Sequence, residues 1–212
     1  MIIFRRSIFL KIIISLIVLT FFLTGCNNQN TKEPDNVGNY STQNLSLSKE
    51  NSKPQNAELI ETDLATFSTK ISQPDPNRQT NITLTCQALN GTIVKMGETF
   101  SFCNTLGPAK PEGGYLKADT FDSDGNTIKA YGGGKCQVST TLYNAVLACS
   151  GLTVVERHEH SGKVYYVPEG MDACVAYGSC DFKFRNDNNF DIKMYFTNTP
   201  DNIDVKIVKI SS

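Results

Sequence analysis

The run Gly132-Gly133-Gly134-Lys135-Cys136-Gln137-Val138-Ser139 puts a thiol where glycines give way to apolar residues at helical spacing. A helix start offers unpaired backbone N–H groups and the positive end of the macrodipole. Both stabilise a thiolate and lower a thiol's pKa below its free value of about 8.5. Cys136 is therefore a candidate nucleophile, with Gly132 to Gly134 leaving the approach to its sulfur free of side chains. A thiol that transfers acyl groups works with a base, and the chain's only two histidines, His158 and His160, both fall in Glu156-Arg157-His158-Glu159-His160-Ser161. Two residues apart on a strand they share a face, so spacing allows either to meet Cys136.

Around this pair stand weaker candidates. Asp172 and Asp181 are carboxylates that can orient a histidine, although beside a glycine or at a strand start such residues commonly cap turns. Gly133, Gly134, Gln137 and Ser139 surround the nucleophile, where backbone N–H groups can hold an oxyanion. Ser161 and Tyr166 are candidate substrate positioners and equally ordinary sheet residues. Asp122, Asp124 and Asn126 imitate half a calcium loop, but without the remaining ligands and a distal glutamate they read as a hairpin turn. Cys136, His158, His160, Cys174 and Cys180 contain the atoms of a zinc site, yet neither C-x2-C nor the paired histidine spacing of a finger is present, and no metal or cofactor is expected. Six cysteines follow Cys26; with one reserved as a nucleophile the remainder pairs badly. Cys86 and Cys149 sit on helical apolar faces as small hydrophobes, and the bonding of the close pair Cys174 and Cys180 stays open.

The elements that must position these groups follow from periodicity. Residues 77–89 carry Ile82, Cys86 and Leu89 at helical spacing, and residues 137–149 carry Val138, Leu142, Ala145, Val146 and Cys149 on one face before Ser150-Gly151 stops them. Short strands are expected at 92–96, 99–102, 114–121 and 126–131, with a turn at Asp124-Gly125-Asn126. Period-two runs follow at 152–157, 163–167, 173–178, 181–186, 190–196 and 204–210, with Asn186-Asp187-Asn188-Asn189 as a hairpin signal. The expected fold is α+β: a helix bearing an N-terminal cysteine packed on a mostly antiparallel sheet.

Ahead of this domain, Arg5, Arg6 and Lys11 lead into an apolar run at 12–23 that is short for a membrane span and ends in Leu23-Thr24-Gly25-Cys26. That ending resembles the lipobox of bacterial lipoproteins. It implies a signal peptide at 1–25, cleavage before Cys26 and diacylation of its sulfur, hence an extracytoplasmic protein anchored to the cell membrane by its N-terminal lipid. Residues 26–56 are poor in apolar side chains and read as a flexible linker, leaving 57–212 as the folded domain. The net charge of −1 and the absence of a basic tract in the domain exclude a nucleic-acid partner.

Three stretches, GETFSFCNTLGP, GGGKCQVSTTLYNAVLACSGL and ERHEHSGKVYYVPEGMDACVAYGSCDFKFRN, resemble the VanW family of cell-envelope proteins across essentially everything from residue 57 onward. The resemblance implies peptidoglycan L,D-transpeptidation, with stem peptides as partners, Cys136 as nucleophile and His160 rather than His158 as base. The chain departs from the family's pattern at Cys103, where asparagine is usual, and at Lys135, where an aliphatic residue is usual. Two other classes stand beside this reading: a catalytically silent wall-binding lipoprotein and a zinc-binding module.

Overall fold

In the computed structural model, which describes residues 60–211 except Pro74, the period-two runs near the C-terminus pair as antiparallel strands. β8 (Asp191–Asn198) buries Ile192, Met194 and Phe196, and β9 (Asn202–Ser211) buries Ile203, Val205 and Ile207. Every second side chain thus faces one core. β1 (Ile60–Lys70) joins the far edge of β9, and the two-residue β2 (Ile93–Val94) joins β8, giving the order β1-β9-β8-β2.

Two helices cover this sheet. α1 (Pro76–Leu89) starts on Asp75, whose carboxylate accepts the backbone N–H groups of Asn77 at 2.8 Å and Arg78 at 3.0 Å, and proline occupies the first turn. Its Ile82, Cys86 and Leu89 are buried, as the spacing predicts. α3 (Lys135–Leu147) packs on β1 and β9 and against α1, and buries Val138, Leu142, Ala145 and Val146. It also encloses polar residues, Ser139, Thr140, Thr141 and Asn144, while Leu147 at its end is exposed.

A second antiparallel sheet has the order β3-β7-β6, from β3 (Thr99–Ser101), β7 (Lys183–Asn186) and β6 (Leu152–Glu156), and β4 (Lys117–Phe121) pairs with β5 (Thr127–Tyr131) as a separate hairpin. The short α2 (Phe102–Leu106) begins directly after β3, capped by the Ser101 hydroxyl. The α+β class holds, with the antiparallel strands divided among three sheets rather than gathered in one.

Several expectations are corrected. The Asn186-to-Asn189 stretch does not close a hairpin: β7 and β8 lie in different sheets. Asn186 is buried there and donates to the carbonyls of Val94 at 3.0 Å and Phe190 at 2.9 Å, so its amide carries the chain from one sheet to the other. Residues 163–167 and 173–178 form no strands; residues 157–182 run as an irregular loop with one isolated bridge, Ala176 to Cys180. The expected strands at 99–102 and 114–121 are shorter, because Phe102 turns helical and pairing starts only at Lys117. The signal peptide, the Cys26 lipid site and the linker lie outside the described residues.

Candidate active site

The polar face of α3 determines where the loop goes. Ser139 donates to the carbonyl of Ala173 at 2.6 Å, Thr140 accepts the Ala173 N–H at 2.9 Å, and Asn144 donates to the carbonyl of Met171 at 2.8 Å. Backbone groups that a strand would engage in a ladder are taken instead by buried side chains. This strap lays residues 171–175 beside the N-terminal turn of α3. Ser139 is fully buried and bonded to this strap.

Cys136 is the second residue of α3 and is partly buried. Its sulfur lies 3.4 Å from the Val175 backbone N, which can donate to it, and 3.3 Å from the Val175 carbonyl. The Cys136 and Cys174 sulfurs and a ring nitrogen of His160 all lie within 4.8 Å of one another. His160 Nδ1 meets Asp172 Oδ2 at 2.5 Å, and the same oxygen accepts the His160 backbone N–H at 2.8 Å, which leaves Nε2 for the sulfur. Asp172 is itself held: Arg157 donates from Nη2 to Oδ1 at 2.8 Å and from Nε to the Asp172 carbonyl at 2.5 Å. The Arg157 guanidinium lies over the Tyr143 ring of α3.

Charge follows from this geometry. The Cys174 thiol beside it, together with the His160 ring and the Val175 N–H, holds the Cys136 thiol well below its ordinary range although burial opposes the charge. Burial works against the charged His160 ring as well, but the neighbouring Cys136 and Asp172 outweigh it and raise the ring's pKa. The pair thus favours thiolate and imidazolium. Cys174 moves the other way, pushed up by its hydrogen bond to Cys136, by burial and by the Cys136 charge, so it remains a neutral thiol donor. Cys86 and Cys103 are raised to about 12, chiefly by burial.

The two histidines do not share a strand face. β6 ends at Glu156, and beyond it His160 turns inward with a side chain only 6% exposed, while His158 is 44% exposed and bonds Glu156 at 3.0 Å. Asp181, the other candidate orienter, instead accepts the Cys103 backbone N–H at 2.8 Å and the Ser101 hydroxyl at 2.5 Å at the start of α2. Asp122 accepts the N–H groups of Asp124 at 3.0 Å and Asn126 at 2.8 Å, which is the turn expected there. Ser161 ties the loop to that turn by donating to the Asp122 carbonyl at 2.6 Å.

The glycines serve packing more than access. A Cβ on Gly133 would lie 2.6 Å from the Asp119 carbonyl oxygen of β4, and Gly134 adopts φ 111° with a virtual Cβ 2.9 Å from Ile82. Both let α3 begin hard against α1 and the β4–β5 hairpin. Lys135 is buried, donates to the Gly107 carbonyl at 3.2 Å and lies over the Tyr115 ring.

Cys136 and His160 open on a cavity of about 470 Å³ between the β4–β5 hairpin, the start of α1 and the loop, also lined by Arg78, Phe121, Gly134, Gln137, Lys163 and Tyr166. The Phe121 ring meets the His160 ring edge-on at 6.2 Å. Burial, reinforced by the Cys136 charge, raises the Tyr166 hydroxyl's pKa and keeps it neutral. Cys136, His160 and Cys174 are also the three described residues that can together ligate a metal. Sequence reasoning passed over Arg157, Arg78 and Cys174 as parts of this site; Arg157 lies inside the Arg-His-Glu-His run, and Cys174 figured only as a zinc or disulfide candidate.

A cysteine at a helix start, a histidine on it and a carboxylate behind the histidine on an α+β scaffold form the arrangement that a thiol-based active site requires. Residues 77–208 match the family described as VanW like protein, and the chain belongs to that family. It is 39% identical over 126 residues to the uncharacterized protein YoaR of Bacillus subtilis, covering 59% of this chain and 41% of that one. It is 31% identical over 147 residues to the vancomycin B-type resistance protein VanW of Enterococcus faecalis, covering 66% of this chain and 53% of that one. The matches thus span about half the length of these relatives. No solved structure matches the chain.

Proposed function

We propose that this chain is a peptidoglycan L,D-transpeptidase acting through a Cys136 thioester, anchored outside the cytoplasm by a lipid on Cys26. The observation that carries the reading is the Asp172–His160–Cys136 line at the wall of a cavity. The vancomycin resistance in the name of the Enterococcus faecalis relative fits an envelope task. Among the described residues no helix is long and apolar enough to cross a membrane; the assignment of the anchor to Cys26 rests on Leu23-Thr24-Gly25-Cys26, whose pattern resembles a lipobox.

In this reading the Cys136 thiolate attacks the carbonyl of the third residue of a tetrapeptide stem. The tetrahedral oxyanion collapses, the C–N bond breaks, and the imidazolium of His160 gives its proton to the departing amine of the terminal D-amino acid. An acceptor amine then attacks the thioester and passes its proton to His160, and Cys136 leaves as thiolate. Asp172 keeps Nδ1 in the tautomer that points Nε2 at the reaction, and Arg157 fixes Asp172. Water in place of the amine gives hydrolysis.

Intact-protein mass after incubation with a tetrapeptide-bearing muropeptide tests the proposal. The expected gain is the donor less its terminal amino acid, absent in Cys136→Ala. Unchanged mass together with retained wall binding would instead make the domain a silent binder. The zinc reading draws on one observation, the mutual approach of Cys136, His160 and Cys174. Metal analysis of protein purified without chelator decides it: one zinc per chain, lost in Cys174→Ala, would replace the transpeptidase reading.

A further inference from the structure

We infer that the cavity beside Cys136 contains a carboxylate subsite built on Arg78, with Lys163 at its edge, which reads the free C-terminal carboxylate of the amino acid that departs from the donor. The inference rests on the transpeptidase reading for the identity of the donor. The anion site itself rests on the structure alone.

Arg78 stands in the first turn of α1 and lines the same cavity as Cys136. Of the described arginines, Arg157 pairs with Asp172 and Glu159 and Arg185 pairs with Asp187, whereas Arg78 has no carboxylate partner among the described residues. Its one side-chain bond runs from Nη2 to Gln137 Oε1 at 2.6 Å, and its Nε lies out of solvent with no acceptor. A half-buried guanidinium without an acidic partner is a strong seat for a carboxylate, to which it donates charge-assisted N–H bonds.

The guanidinium is aimed as well as unpaired. Gln137 donates from Nε2 to Thr69 Oγ1 at 3.1 Å and to the Lys70 carbonyl at 2.9 Å, so β1 fixes its amide with the oxygen turned to Arg78. This neutral partner holds Arg78 without cancelling its charge. The only acidic residue lining the cavity, Asp119, is already engaged by Lys129 at 2.9 Å. Lys163, exposed on the loop, lines the cavity and adds a second cation. Beside the Cys136–His160 ion pair, the cavity therefore offers two further positive groups to an incoming anion.

In a stem whose third carbonyl is attacked, the departing residue carries its carboxylate a few bonds from the reacting carbon, within the reach of one cavity. A subsite for that group requires the chain to end one residue beyond the scissile bond. It admits a free tetrapeptide terminus and disfavours an amidated or extended one.

The test uses an electrophile pair that needs only the thiolate and the subsite: bromoacetyl-D-alanine and its carboxamide, each forming a thioether on Cys136 with loss of bromide. Wild-type protein should be alkylated at Cys136 about tenfold or more faster by the acid than by the amide, the scale of a charge-assisted bond. In Arg78→Gln the acid-to-amide rate ratio should fall to about one, and Arg78→Lys should retain part of the preference. Equal rates for acid and amide in wild type, or a preference surviving in Arg78→Gln, would overturn the subsite. Should Arg78→Gln fail to fold, protection of wild-type Cys136 from iodoacetamide by acetyl-D-alanine but not by acetyl-D-alaninamide decides the matter. Tetrapeptide donors with free and amidated termini then separate the two readings. An acid preference without any acyl adduct keeps the subsite and ends the transpeptidase reading, whereas equal acylation by both donors keeps the enzyme and ends the subsite.

Discussion

The β8–β9 ribbon and the loop at 157–182 are separated in the chain only by β7 and its link to β8, but they are held by different forces. The ribbon buries apolar side chains alternately on one face and pairs its backbone with itself. The loop buries Ala173, Val175 and Phe182 without any regular alternation and leaves Tyr165 and Tyr177 74% and 57% exposed. It is fixed by polar bonds from α3 and by the Arg157–Asp172–His160 chain. Burial stabilises the first roughly in proportion to area and with little directional demand, while the second depends on each donor meeting its acceptor. Stability and chemistry are therefore assigned to different parts of the molecule, and substitutions should separate them.

The sharpest break in that contrast is Cys136→Ala. It should abolish the acyl adduct entirely and leave the melting temperature close to wild type, since the sulfur fills little of the core; mass spectrometry beside a thermal melt checks both. Substitution of His160 by Ala should lower turnover by ~10²–10⁴-fold, the usual worth of positioned acid–base help. His158→Ala should keep most activity, because that ring lies at the surface on Glu156. Steady-state rates of the two variants decide, and an inactive His158 variant beside an active His160 variant would reverse the assignment.

On the scaffold side, Leu142→Ala removes a fully buried side chain from α3 and should cost about 2–5 kcal/mol in denaturant unfolding, with little effect on Cys136 reactivity per folded molecule. Asn144→Ala removes a bond from helix to loop and should cost ~1–3 kcal/mol while loosening the site, a mixed result that an apolar substitution should not give.

The smallest effect expected is a shift in pH dependence. With Cys136 lowered and His160 raised, the thiolate–imidazolium pair exists between the two values, so iodoacetamide should modify Cys136 below the pH at which a free thiol reacts. The rate falls only when acid protonates the sulfur. Cys174→Ala withdraws a donor from the thiolate and should move that acid limb to higher pH. Cys86 and Cys103, raised to about 12, should stay silent throughout. First labelling at Cys103 or Cys180 would show that the site is misplaced.

Local pattern alone determined a good deal here. The spacing of Ile82, Cys86 and Leu89 and of Val138, Leu142, Ala145 and Val146 fixed two helices, alternation fixed β8 and β9, and glycines ahead of Cys136 marked a helix start. Such signals are legible because a helix or a strand pairs with its own near neighbours or buries a face written into a few residues. The tertiary structure decided which histidine turns inward, that Asp172 and not Asp181 stands behind it, that Cys174 approaches the nucleophile, and that Gly133 and Gly134 admit neighbouring backbone and side chains. It also decided that residues 163–167 and 173–178, rich in strand formers, are not strands. A strand exists only where an edge is free to pair with it, and here buried hydroxyls and an amide from α3 take up part of that backbone instead. Those partners stand 27 to 34 positions away in the chain, a separation no local pattern records.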